Sequence, residues 1–122
     1  MNEDDVLAFA RTALATLWAL ELLLLLHRSP DRAWQDTELA APLRANARVV
    51  AESLAALVGT GLAETDDAGR CRYRPASATL ASAVDALAEL YARKPLAVTN
   101  AILSGRNDKI RTFADAFRFR TR

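Results

Sequence analysis

The chain has 122 residues, of which 52% are hydrophobic and 25% charged, with a formal net charge of +1. This length suits one domain with a buried core and is too short for two, and only four Gly and four Pro argue against disorder and against a turn-rich all-β fold. One Cys and one His exclude an internal disulfide and a self-contained Cys/His zinc site.

The small net charge conceals an uneven distribution along the chain. Residues 1–69 carry 5 basic and 11 acidic side chains, a net charge of −6, whereas residues 70–122 carry 11 basic and 4 acidic ones, a net charge of +7. Such asymmetry indicates a surface that faces a polyanion, or opposite charges that pair within the molecule or across a dimer. Ordinary solvated surface is the plainer interpretation.

The first predicted element is one long helix over Val6–His27, extending to residue 28. Arg11 and Glu21 interrupt its apolar run, and the acidic residues 1–5 differ from the basic start of a signal peptide, so we expect no membrane span and a cytoplasmic protein. A helix that is apolar on most sides must be covered on most sides. We therefore expect core or a dimer seam here, with a ligand pocket against the C-terminal helices as the alternative.

Two further helices are predicted between residues 36 and 59. The first is capped by Asp36 or Thr37 and runs to about residue 43, where Pro42 should kink or shorten it. Asn46 can cap the second, over residues 46–59, and either Gly59 or Gly61 is suited to end it. The apolar spacing of Val50, Leu54, Leu57 and Val58 is that of one helical face.

A β-hairpin is predicted over residues 62–75, with its turn at residues 66–69. The second strand alternates arginine with Cys71 and Tyr73, so one face is basic and the other apolar. Further helices are predicted over residues 77–119. Ser77 or Thr79 begins them, residues 94–95 break them, residues 104–107 form a turn, and residues 108–119 carry a last apolar stripe.

The middle of the chain, roughly residues 37–75, resembles the winged helix-turn-helix of bacterial transcriptional regulators, MarR-like in general layout. The resemblance rests on three motifs: Glu38-Leu39-Ala40-Ala41, then Val50…Leu54…Leu57, then Gly61-Leu62 with Tyr73-Arg74-Pro75 at the end of the hairpin. The segments around residues 18–22 and 113–118 are similar to those of small proteobacterial winged-helix proteins. The resemblance implies a single mainly α domain, 1–122, with a small β-hairpin, a helix-turn-helix plus wing over 36–75, and additional N- and C-terminal helices.

The function implied by this resemblance is regulation of transcription by a protein bound to double-stranded DNA. We expect a homodimer, formed through the N-terminal helix and the C-terminal helices after the wing. The recognition helix at 46–59 would enter the major groove and the wing at 62–75 would contact phosphates. The candidate DNA-binding residues are Arg44, Asn46, Arg48, Glu52, Ser53, Arg70, Arg72 and Arg74. This interpretation requires an exposed recognition helix and wing arginines that the chain's own carboxylates do not engage.

The alternative is a winged-helix protein–protein interaction module without sequence-specific DNA binding, because alanines dominate the outer positions of the recognition helix. Arg48 can equally pair with Glu52 one turn later, and arginines on an edge strand also discourage aggregation. For Cys71 a packed core residue is favoured over a redox sensor, and for His27 a favourable position at a helix C-terminus is favoured over metal binding. The sequence contains no phosphate loop, paired-carboxylate site or catalytic triad, so we expect a protein that is not an enzyme and needs no cofactor or metal.

Overall fold

The computed structural model describes residues 1–105, which are mainly helical with one small antiparallel sheet. The elements in chain order are α1 (Glu3–Ala13), α2 (Leu17–Arg28), α3 (Asp36–Leu43), α4 (Ala47–Gly59), β1 (Ala63–Thr65), β2 (Cys71–Tyr73) and α5 (Ala78–Arg93). Residues 95–105 are also helical and are called α6. The expected mainly α chain with a small hairpin is therefore confirmed for these residues. The C-terminal stripe expected at residues 108–119 lies outside them.

The single long N-terminal helix expected over residues 6–28 is wrong, because the chain forms two helices there. Leu14 leaves helical geometry (φ −118°, ψ 114°), and the axes of α1 and α2 are bent by 112°. Thr16 then begins α2 as its N-cap, its Oγ1 accepting a hydrogen bond from the N–H of Ala19 at 3.1 Å. This threonine satisfies a backbone donor that would otherwise lack a partner, so a second helix can start in the middle of an apolar stretch.

The inner face of α2 forms the centre of the core. Leu22, Leu23 and Leu26 are fully buried, and α2 contacts α3, α4 and β2. Helix α1 packs instead against α5, which closes the other side of the same apolar cluster. Within residues 1–105, no single helix is both long and apolar enough to cross a membrane.

Helix α3 begins one residue earlier than expected. Gln35, rather than Asp36 or Thr37, is its N-cap, and the Gln35 N–H donates to Glu38 Oε1 at 2.8 Å. Pro42 lies in the last turn and the helix ends at the next residue, which is the predicted end. The connection to α4 then passes through Arg44, which adopts a left-handed conformation (φ 51°).

Both predicted ends of α4 are confirmed. Asn46 Oδ1 accepts a hydrogen bond from the N–H of Val49 at 2.9 Å, which caps the first turn. At the other end the N–H of Gly61 donates to the Val58 carbonyl and that of Leu62 to the Leu57 carbonyl. This Schellman arrangement needs a residue with positive φ, and Gly61 supplies it at +76°.

The hairpin follows the predicted strands and has an additional partner close to its turn. Strands β1 and β2 pair antiparallel, and Asp66 Oδ1 accepts the N–H groups of Ala68 and Arg70 across the turn. Trp34, in the connection between α2 and α3, forms an isolated bridge to Cys71, with both N–H···O distances at 2.7 Å. The hairpin is thereby fixed to the body of the domain.

The later helices begin where the sequence indicates but extend further than expected. Ser77 Oγ accepts the N–H of Leu80 and caps α5, and Lys94 separates α5 from α6. Ser104 and Gly105 are helical, so the turn expected at 104–107 does not begin at residue 104. Gly105 lies against Arg11 of α1, leaving no room there for a side chain unless Arg11 moves.

We expect Gly61→Ala to lower the free energy of unfolding by about 1–2 kcal/mol, because a side chain at positive φ is strained. The added Cβ would also lie 3.2 Å from the Cβ of Ala76. The matched control is Gly59→Ala in the last turn of α4, where nothing lies within 4 Å. That change should raise the free energy of unfolding by about 0.5–1 kcal/mol. Urea titration of both variants measures the difference, and equal effects would contradict the assigned helix end.

Candidate functional site

The outer face of α4 and the adjoining hairpin form one continuous region, here called the α4–hairpin surface. It comprises Arg44, the exposed residues of α4, and residues 64–74. The turn at Gly61 leads directly from the helix to β1, which packs against α4. Of the eight residues that the sequence singled out for DNA binding, six lie on this surface and Asn46 borders it as the N-cap of α4, so its chemistry can be compared with that expectation residue by residue.

Helix α4 exposes a face made mainly of small side chains. Ala47, Ala51 and Ala55 are exposed, and Val58 near the C-terminal end is 41% exposed. The polar exposed residues of the predicted set are Arg48 and Glu52. The helix is therefore accessible, as DNA binding would require, but it carries little that can hydrogen-bond a base edge.

Ser53 is a correction to the predicted site. It is only 5% exposed and lies on the inner face of α4 with Val50 and Leu57. The spacing of three and seven residues puts these positions on one helical face, so the periodicity that identified Val50 and Leu57 as core already included Ser53. Its hydroxyl polarity led to the wrong expectation that it was exposed.

The other two polar residues near the start of α4 are already engaged locally. The Asn46 side chain caps the helix, and Arg48 Nε donates to Glu52 Oε1 at 3.0 Å. The pairing of Arg48 with Glu52 was the plainer alternative for this arginine, and it is the one observed. Arg44 is exposed beside them, and no ion pair of Arg44 occurs within residues 1–105.

All three hairpin arginines face carboxylates of the same hairpin. Arg72 donates through Nε and Nη2 to Glu64 Oε1 at 3.0 and 2.8 Å, and Arg74 Nε lies 3.5 Å from Glu64 Oε2. Arg70 Nε lies 3.3 Å from Asp66 Oδ2. The Arg70 backbone N–H, followed by that of Ala68 and the Arg70 charge, holds the pKa of Asp66 below its ordinary value.

The α4–hairpin surface is consequently close to neutral. Its five arginines are opposed by four acidic side chains, Glu52, Glu64, Asp66 and Asp67, which leaves a net charge of +1. Residues 1–105 as a whole carry 10 basic and 13 acidic side chains, a net charge of −3. The requirement that the wing arginines be unengaged is therefore not met. One signal could have revealed this: the hairpin register, which sets Glu64 directly opposite Arg72.

A second cluster of polar side chains connects α2, β2 and α5. His27 Nε2 lies 2.8 Å from Asp85 Oδ1, and the His27 ring meets the Tyr73 ring edge-on with centroids 5.4 Å apart. His27 also lies in the last turn of α2, the position expected for it. No group of three or more potential metal ligands occurs within the part of the chain that the structure describes.

Cys71 lies on the side of β2 opposite the arginines and is 1% exposed. Burial raises the pKa of its thiol from 9.0 to about 11. A thiol that is buried and protonated reacts slowly, because the thiolate is the nucleophile. The packed-core interpretation of Cys71 is therefore the one that the geometry supports.

Comparison of the chain with protein-family models, with curated proteins and with solved structures found no match.

We expect Cys71 to make stability fall at alkaline pH. Because its pKa is raised by folding, its stabilising contribution is complete below pH 9 and is lost as the pH rises through about 11. Two pKa units correspond to about 2.7 kcal/mol. Urea titrations from about pH 8 to about pH 11 should show a steeper decline for the native chain than for Cys71→Ala. Tyr73, whose pKa is also raised by burial, remains in both proteins; parallel stability curves would contradict the assignment.

Proposed function

We propose that this chain is a winged-helix module that binds another protein through the outer face of α4. Three features support the winged-helix assignment: the order of α3, α4 and the hairpin, the Asn46-capped helix that ends at Gly61, and the Trp34–Cys71 bridge that adds a third extended segment to the wing. Winged helices bind both nucleic acids and proteins, so the choice between these functions depends on the surface and not on the fold.

One observation carries the proposal of a protein partner: four of the five arginines of the α4–hairpin surface form ion pairs with the chain's own carboxylates. Affinity for DNA comes largely from neutralising phosphates with surplus positive charge. A surface with a net charge of +1 supplies little of it. The accessible helix between these ion pairs instead offers Ala51, Ala55 and Val58, which are small or apolar.

The partner chemistry that fits this face is the apolar stripe of an amphipathic helix. Exposed alanines let a second helix approach closely, because the distance between helix axes depends on side-chain size at the contact. Arg48 and Glu52, which flank the alanines, would lie at the polar rim, where charges contribute to specificity more than to affinity.

Substitution of Ala55 by Glu should abolish partner binding, because it inserts a charge into the centre of the small-residue face. The native full-length chain and each variant would be immobilised as baits at equal density, and their retention of one identified partner from cell extract compared. Titration with that purified partner would then give the affinity of each. The control is Ala78→Glu, at another exposed alanine, which lies at the start of α5. Equal partner affinity of the two variants would assign the binding to another surface.

A second candidate, a DNA-binding transcriptional regulator, is favoured by one specific observation. Arg44 and Arg48 are exposed at the N-terminal end of α4, the end that a recognition helix presents to base edges. Exposed ion pairs contribute only about 0–1 kcal/mol each, so a phosphate oxygen can compete for a paired guanidinium. For either function, we propose that the protein is located in the cytoplasm.

The variant Glu64→Gln distinguishes these candidates. It removes the carboxylate that engages Arg72 and Arg74 and raises the charge of the α4–hairpin surface from +1 to +2. A DNA-binding protein should then bind a labelled random-sequence duplex more tightly, with a salt dependence steeper by about one for each phosphate gained. A module for protein partners should show no retention of duplex in either form. Glu89→Gln on α5 is the control for the change in net charge alone.

A further inference from the structure

Helix α2 has a second apolar face that the described residues leave partly uncovered. Its positions recur at spacings of three and four: Leu17, Trp18, Glu21, Leu24, Leu25 and Arg28, here called the outer α2 face. Trp18 is 38% exposed, and Leu17, Leu24 and Leu25 are half-buried. Large apolar side chains in such a row are typical of a helix that packs on both sides.

The charges of this face are arranged with two-fold complementarity. Glu21 and Arg28 are both exposed, on either side of Leu24 and Leu25, and seven residues of helix separate them by about 10 Å. When two copies of the face meet antiparallel about a two-fold axis near the leucine pair, each Glu21 faces the Arg28 of the other copy. Parallel packing would bring like charges together. A surface that complements itself is the requirement for a symmetric dimer.

Two leucines of the outer α2 face also line a cleft. Leu24 and Leu25 form part of a cleft of about 450 Å³ between α2, the end of α3 and α5, with Leu43 and Tyr91 among its other walls. Apolar side chains of a second copy can enter it and exclude water from the leucines, which is the main source of affinity in a dimer interface.

We propose that a second copy of this chain covers the outer α2 face, with the two α2 helices antiparallel and Glu21 paired with the partner's Arg28. This surface is separate from the outer face of α4, so the dimer would present two α4–hairpin surfaces. The proposal does not rest on the function proposed for α4. Loss of the dimer and loss of binding by Ala55→Glu are separate outcomes.

The test is sedimentation velocity across a dilution series. The native chain should sediment as a species with twice the 13.3 kDa mass of one chain. Glu21→Arg and Arg28→Glu should each weaken the dimer by about tenfold or more, because each replaces two attractive contacts by two repulsive ones. An equimolar mixture of the two variants should restore the dimer, because one chain then carries two positive charges on this face and the other two negative charges.

The control Glu52→Arg makes the same charge change on the exposed face of α4 and should leave the dimer intact. Thermal unfolding of each variant verifies that it is folded. Restoration of the dimer in the mixture is a second check, because unfolded chains could not form that dimer. A native chain that stays monomeric would overturn the proposal and assign the face to another occupant. Single variants that dimerise like the native chain, or a mixture that stays monomeric, would also overturn it.

Discussion

The fold depends above all on burial of the inner leucines of α2. Three of them, Leu22, Leu23 and Leu26, are inaccessible to solvent, and the helix that carries them contacts α3, α4 and β2 together. Full burial of one leucine contributes about 1.5–3 kcal/mol, so these three side chains together are a large part of the stabilisation by the core. Because α2 contacts both α4 and the hairpin, core packing contributes to the relative position of those two elements.

Features of the fold whose partners lie within a few residues of each other were predictable from the sequence. Asn46 as the cap of α4, Gly61 as its end, and Ser77 as the start of α5 each need one side chain or one φ value and a backbone group within four residues. The break at Thr16 is equally local, yet it was missed. Apolar residues on both sides of it satisfy a helical pattern at every position, so periodicity could not separate one long helix from two.

The candidate site was harder to predict because its electrostatics depend on register. Strand alternation predicts Arg70 and Arg72 on the face opposite Cys71, which the structure confirms, but it does not indicate which carboxylates lie beside them. Glu64 lies eight residues before Arg72 in the chain and directly across from it in the sheet, which turns a row of positive charge into a set of ion pairs. Total charge is additive along a sequence, whereas the potential at a surface depends on which charges are neighbours in space.

The bridge between Trp34 and Cys71 has a consequence for how related sequences can vary in length. At its tip, the hairpin turn is held only by its own residues, through Asp66 and Gly69, and inserted residues there would leave the rest of the domain in place. At Cys71, the residue of β2 closest to the turn, both hydrogen bonds to Trp34 tie the hairpin to the segment that joins α2 to α3. An insertion or deletion in residues 29–33 would therefore redirect the hairpin as a unit. Divergence in this domain should accordingly accumulate at the tip, while the length of that short joining segment stays constant.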